Sequence, residues 1–330
     1  MTETLLFAVT GADLNGADLE GPGLPPGLTI VRESGLAAVV GPAPEGGFHQ
    51  QERSALLPLL LARQKLIGRL LDSATILPVA LGTSVEDIGR IRHLLAAGAP
   101  VIRTALGTVD GCVEYGLSVR AETVAKTDED EEQAEEDALG ATATLLFETI
   151  AAQAADSARA RAAERRDRAR RVLIERLAPI CRDLIVTEPG DPSVIAELAL
   201  LVPRRAAEAL DDALESVDQS FAGQLALRLV GPLPPYSFAT VHVHLGTMAA
   251  AEAARRLLGV PAGADPAALR QAYRHAIRRV HPDLVPEGAE PIEAADGTAA
   301  DVAALTAAHR VLQAEHVPVS IRRQPTQAAG

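Results

Sequence analysis

Apolar positions in the first third of the chain follow a strand pattern, then a helical one. Leu5-Leu-Phe-Ala-Val9 is uniformly apolar and predicts a central strand. Leu36-Ala-Ala-Val-Val40 predicts a second strand, ended by Gly41-Pro42, and Gly11 to Gly27 reads as a Gly/Pro-rich loop. Between Gln50 and Leu71, Leu56, Leu60, Gln64, Ile67 and Leu71 recur near one helical face; Pro58 predicts a kink there or a start near it. Thr75-Ile-Leu-Pro-Val-Ala-Leu-Gly82 is strand-like with a proline, so an edge or a bulge is expected. Ser84-Val-Glu-Asp87 resembles a capping box and predicts a helix through Ile88, Ile91, Leu94 and Leu95 that stops at Gly98. A short helix from Val101 to Leu106 and a strand over Gly111 to Val119 follow. This mixed order predicts an α+β class rather than a doubly wound sheet.

Asp128 to Asp137 is an acidic cluster, and the Ala-rich stretch after it turns basic between Arg159 and Arg176. Opposite charge blocks on consecutive helical segments predict an antiparallel pair, read as a solvated helical arm. Strands over Asp183–Thr187 and Ala199–Val202, a helix over Ala206–Phe221 and a strand over Leu225–Val230 complete an α-β-β-α-β order, close to a ferredoxin-like split unit. Gly231-Pro-Leu-Pro-Pro-Tyr-Ser-Phe238 comes next. Its prolines lack donors and fix φ, which predicts a rigid, extended elbow, a corner where Tyr236 plugs a core edge. Ala239–Val243 is a further strand, and His242 and His244 fall on one face of it, as two metal ligands could.

From Ala250 the pattern is helical, and the chain ends in a polar tail, Gln324 to Gly330. A leading helix, Ala253–Leu258, stops at Gly259-Val260-Pro261. Asp265 caps a helix that reaches Val280, with Leu269, Ala272, Tyr273, Ala276 and Val280 on one face and Arg270, Arg274, Arg278 and Arg279 elsewhere. His281-Pro282-Asp283 follows, then a long acidic loop and a helix from Asp301 to Ala314. The expected organisation is residues 1–125 as one α+β domain, 126–246 as a second with the charged arm, 250–316 as a helical module, and 317–330 as a flexible tail.

Composition narrows the function classes. The chain has 330 residues, enough for two or three domains. It is 48% hydrophobic, with five Phe, three Tyr and no Trp, which favours aliphatic packing over ligand-stacking pockets. A net charge of −13 argues against nonspecific nucleic-acid binding. Cys112 and Cys181 lie far apart without zinc-site spacing, as expected of reduced thiols in a cytoplasm. The acidic N-terminus does not read as a signal peptide, so none is expected, and no apolar run is long enough for a bilayer. Nucleophile elbow, phosphate loop and dinucleotide fingerprint are all missing, so no enzyme, cofactor or catalytic residue is expected.

Two resemblances carry function. Leu257-Leu-Gly-Val260, Leu269-Arg-Gln-Ala-Tyr-Arg274, His281-Pro-Asp283 and Ala307-Ala-His-Arg-Val-Leu312 resemble, in order and spacing, the J domain of Hsp40 co-chaperones. The resemblance implies that Arg270, Arg274, Arg278 and Arg279 dock on an acidic face of a DnaK-type Hsp70, where His281, Pro282 and Asp283 trigger its ATPase. The sequence departs from that family in its long loop and in His309, which stands where an aromatic is common. Residues 3 to 245 resemble the GvpL/GvpF gas vesicle family through the Gly231–Phe238 string, through Thr75–Thr83 with Ala80 and Leu81 in place of an Arg-Phe pair, and through Gly111–Val119. That resemblance marks Leu77, Pro78, Gly82, Glu114, Gly231, Pro232, Pro234, Pro235, Tyr236 and Phe238 as structural or shell-contact positions. It implies an accessory or minor structural protein, cytoplasmic and vesicle-associated, whose partners are the hydrophobic shell protein GvpA and other accessory proteins. The alternatives are a general Hsp40-type co-chaperone unconnected to vesicles, and a metal-dependent enzyme using His242 and His244.

Overall fold

A computed structural model describes residues 3–11, 14–44, 51, 53–121, 160, 163–164, 166–187, 189, 191, 194–222, 224–280 and 301–326. The chain forms two units, one from residues 1–110 with 234–323 and one centred on residues 111–233.

The first unit is built on an antiparallel sheet. β1 (Thr4–Gly11), β2 (Thr29–Glu33), β3 (Leu36–Pro42) and β4 (Ile76–Pro78) lie in the order β2-β3-β1-β4, and β5 (Ser84–Val85) also pairs with β1. The apolar β1 is central, as its sequence predicts, and β4 ends the sheet at its proline. β2 falls outside the expected elements. It joins β3 through Ser34-Gly35, both at positive φ (52° and 68°), the backbone of a tight two-residue hairpin. Two long helices pack on the sheet. α1 (Arg53–Ser73) buries Leu66, Ile67 and Leu70, and α2 (Ile88–Val109) buries Ile91, Leu94, Leu95 and Ile102. α1 begins at Arg53, ahead of Pro58, which lies inside it.

α2 departs from expectation at both ends of its first half. Its cap is Asp87, whose carboxylate accepts the Arg90 N–H at 2.9 Å, while Ser84 and Val85 are sheet. It does not stop at Gly98 but runs on through Pro100. A Cβ on Gly98 would sit 2.5 Å from a Val319 methyl carbon, so this glycine serves close packing rather than termination.

β10 (Thr240–Val243) and β11 (Val319–Arg322) form a two-stranded antiparallel sheet that joins the same unit. Val79 bridges to Val241, and the Ala80 N–H donates to the Val241 carbonyl at 2.8 Å. The expected tail from residue 317 is therefore corrected: Val319 is buried and the segment is paired, because its alternation matches β10.

In the second unit β6 (Cys112–Ala121), a helix α3 over 166–177, β7 (Asp183–Thr187), β8 (Val194–Pro203), α4 (Ala207–Ser220) and β9 (Leu225–Leu233) follow in turn. The sheet order is β7-β8-β6-β9, all antiparallel. This is the β-α-β-β-α-β order of a ferredoxin-like unit. Its first strand is the segment the sequence pattern had placed in the N-terminal domain; pairing with β8 and β9 decides its membership. In the basic stretch Ala169, Leu173 and Leu177, four residues apart, are buried in this unit's core with Leu198 and Leu200. That part of the charged segment is core-forming rather than a solvated arm, while Asp128–Asp137 lies outside the described residues.

Candidate functional site

Three helices in the first unit, α5 (Met248–Leu258), α6 (Pro266–Val280) and α7 (Val302–His316), form a small packed assembly. Each is fixed by local chemistry. The Thr247 hydroxyl accepts the Ala250 N–H at 3.1 Å, and α5 ends on Gly259 in the left-handed conformation. One Asp265 oxygen accepts the N–H groups of Ala267 and Ala268 at 2.8 and 2.7 Å, which lowers that carboxyl below its ordinary range. Asp301 caps α7 through the Ala304 N–H. Leu258, Leu269, Ala276, Leu305, Ala308 and Leu312 form the shared core.

The departure at position 309 has a structural counterpart. The His309 ring stacks on Tyr273, centroids 4.3 Å apart, and Tyr273 reaches the Thr306 hydroxyl at 3.1 Å. The imidazole does the packing work of an aromatic. Its Nε2 is buried without a partner, and burial pushes its pKa below the usual value. Arg270, Arg274, Arg278 and Arg279 are all exposed on α6, so the structure presents four guanidiniums on one fifteen-residue helix. His281, Pro282 and Asp283 lie outside the described residues.

The assembly is locked to α2. Arg90 of α2, buried at 8% side-chain exposure, makes a bidentate pair with Glu315 of α7, both N–O distances 3.0 Å. The same guanidinium donates to the Gly246 carbonyl at 2.6 Å, and His93 Nε2 lies 2.8 Å from the Glu315 carbonyl oxygen. The sequence reading did not single out this anchor. Its signal is an arginine on the buried stripe of α2, four residues before Leu94, since such a charge goes inside only when paired.

The remaining marked residues scatter through both units. Leu77 and Pro78 are buried in β4, and Gly82 turns the chain at a φ of 76°. Glu114 is buried in β6 where the register with β9 shifts. Gly231 opposes that shift and precedes the cis peptide to Pro232, both still within β9. Pro234, Pro235 and Phe238 are buried, while Tyr236 is about one-third exposed. The elbow is thus half strand and half tight turn, closed by the Ala239 N–H on the Pro235 carbonyl at 2.8 Å. Phe238, not Tyr236, is the plug.

His242 pairs in register with Ser320, and His244 Nε2 lies 2.6 Å from the Ser320 hydroxyl. Desolvation first, then the Arg322 and His244 charges, lower the His242 pKa. Among the described residues no group of three or more His, Cys, Asp or Glu is placed to hold a metal ion. No helix among them is long and apolar enough to cross a membrane.

Comparison with known proteins adds a family frame. Residues 4–240 match the family "Gas vesicle synthesis protein GvpL/GvpF". Over 230 residues the chain is 30% identical to "Gas vesicle protein L" of Streptomyces sp. (strain CB03234), covering 66% of this chain and 85% of that protein. The crystal structure of gas vesicle protein GvpF from Anabaena sp. PCC7120 is similar in fold, with a TM-score of 0.56 at 17% identity, over 72% of this chain and 98% of that one. GvpF from Microcystis aeruginosa gives 0.52 at 14%, over the same shares. The family match ends at residue 240, so α5, α6 and α7 lie beyond it.

Proposed function

Since the chain belongs to the GvpL/GvpF family of gas vesicle synthesis proteins, and so has a role in gas vesicle assembly, we propose that it holds the hydrophobic shell protein and calls an Hsp70 through its C-terminal helices. Unassembled shell subunits expose apolar surface, and such surface aggregates. A cytoplasmic carrier that binds them and engages an ATP-driven chaperone removes that hazard.

The observation that carries the second half is the set of four exposed arginines on α6, held on a folded three-helix core inside an otherwise acidic chain. A basic helix of this kind steers toward an acidic face and mainly raises the association rate. The Arg90–Glu315 pair makes the helices part of the carrier's first unit rather than a tethered appendage. His281 acts on the partner's chemistry and performs none of its own.

The test uses the full chain with purified shell subunit and a DnaK-type Hsp70. The wild type is expected to bind the subunit and raise the Hsp70 ATPase. His281→Gln is expected to abolish the stimulation and leave subunit binding intact. Equal stimulation by wild type and variant removes the co-chaperone half. A chain that never binds shell subunit removes the carrier half.

A further inference from the structure

We propose that a cleft beside the first turns of α1 is a docking site for an apolar segment bearing a carboxylate; resting on the carrier reading above, that segment belongs to a shell subunit. The cleft measures about 230 Å³ and is walled by Phe7, Pro25, Pro42, Leu59 and Leu81, with Arg63 also lining it. Cofactor and drug-sized sites occupy about 300–1,000 Å³. This one is too small for them and suits one or two protruding side chains. Its proline walls are stiff and carry no donor N–H, so little order is lost on docking. Leu81, at 48% exposure, leaves an apolar lip uncovered.

Arg63 decides the chemistry of the occupant. One guanidinium nitrogen donates to the Val79 carbonyl at 2.5 Å, which fixes the side chain, and among the described residues its other donors remain to meet a ligand. Burial lowers its pKa, the mark of a cation partly stripped of water, with the Tyr236 phenol acting the other way. Among the described residues no carboxylate lies within ion-pair distance of it, in contrast to Arg90, which has Glu315. A half-desolvated cation with no carboxylate among its described neighbours is unfavourable, and an incoming carboxylate offsets that cost. An apolar wall alone would accept any greasy segment; the cation adds selection for one that carries negative charge.

Two probes separate this inference from the reading it rests on. Labelled shell subunit is titrated with the full chain and followed by anisotropy. Anilinonaphthalene sulfonate, an apolar anion, is followed by its fluorescence on the full chain alone. Arg63→Gln and Leu81→Asp are compared with wild type, Leu81→Asp being at a half-exposed lip, and the thermal midpoint of each variant is read beside its binding. Both variants are expected to weaken each probe about tenfold or more, and Arg63→Lys to retain more binding than Arg63→Gln. If wild type binds shell subunit and both variants bind it equally well, the cleft assignment is overturned and the carrier reading stands. If shell subunit does not bind but the anionic probe does, and is lost in both variants, the cleft stands and the carrier reading falls. If neither probe depends on Arg63 or Leu81 and shell subunit does not bind, both are overturned.

Discussion

Gly231 leaves no space for a side chain. A Cβ there would lie 2.5 Å from the Tyr115 ring and 2.9 Å from the Glu114 carbonyl oxygen, at a φ of 156°. Gly231→Ala is expected to cost roughly 1–3 kcal/mol in urea unfolding through overpacking. Gly107→Ala is the control: it lies in α2 with nothing within 4 Å of its Cβ. Lower backbone entropy in the unfolded chain should make it stabilising by up to about 1 kcal/mol. Cys181 supplies a chemical test. Burial, then the Asp183 charge, push its pKa up to about 11. At pH 8 its alkylation should run about a hundredfold slower than that of a free cysteine, because the thiolate is the nucleophile. His309 supplies a pH test. Its folded pKa is lowered, so the neutral ring is the form the fold accommodates. Its contribution is intact above the unfolded value of about 6.5 and is lost as pH falls below it. Thermal midpoints of wild type should drop more between pH 7.5 and pH 5 than those of His309→Phe, which keeps the stack on Tyr273 without the titration. Arg270 and Arg274 share the depression beside His309.

Elements show where sequence reading succeeds and where it fails. α6 and α7 follow the pattern because side-chain caps at Asp265 and Asp301 agree with apolar periodicity; α5 stops at Gly259 as read but starts at Met248 on a Thr247 cap, ahead of the expected Ala253. α2 defeats the same reasoning. Gly98 and Pro100 are stop signals, yet the helix continues, because packing of Gly98 against Val319 outweighs the propensity loss. The missing N–H of Pro100 costs its bond to the Ala96 carbonyl, and the helix tolerates it. Strand membership is harder still. β6 pairs with residues 194–203 and 225–233, and nothing near residue 112 encodes that. Of the candidate site, the arginines of α6 were legible and the anchor was not, since Arg90 and Glu315 are 225 positions apart. The anchor makes a prediction at this scale. Arg90→Met should lower stability by roughly 2–4 kcal/mol by stranding Glu315. The double variant with Glu315→Leu should recover much of that, and amide exchange in β11 should rise in the single variant only.

At the scale of the molecule, the C-terminal segment completes the N-terminal unit. Residues 234–323 return to the sheet of residues 1–110, bringing β10, β11 and the partner of Arg90. Truncation after residue 246 should therefore lower the thermal midpoint of the first unit, although the family match itself ends at residue 240. A chain cut there would leave a buried cation unpaired and β10 an open edge, which invites aggregation. The second unit keeps its own core around Leu173, Leu200 and Val217 and should hold its secondary structure in the truncated chain. On the proposed carrier reading, the whole chain keeps apolar wall subunits from sticking to one another. Light scattering of purified shell subunit, diluted from denaturant with and without an equimolar amount of the full chain, tests it most directly. Suppressed scattering is the predicted result; scattering that rises as fast with the chain as without it would contradict the account.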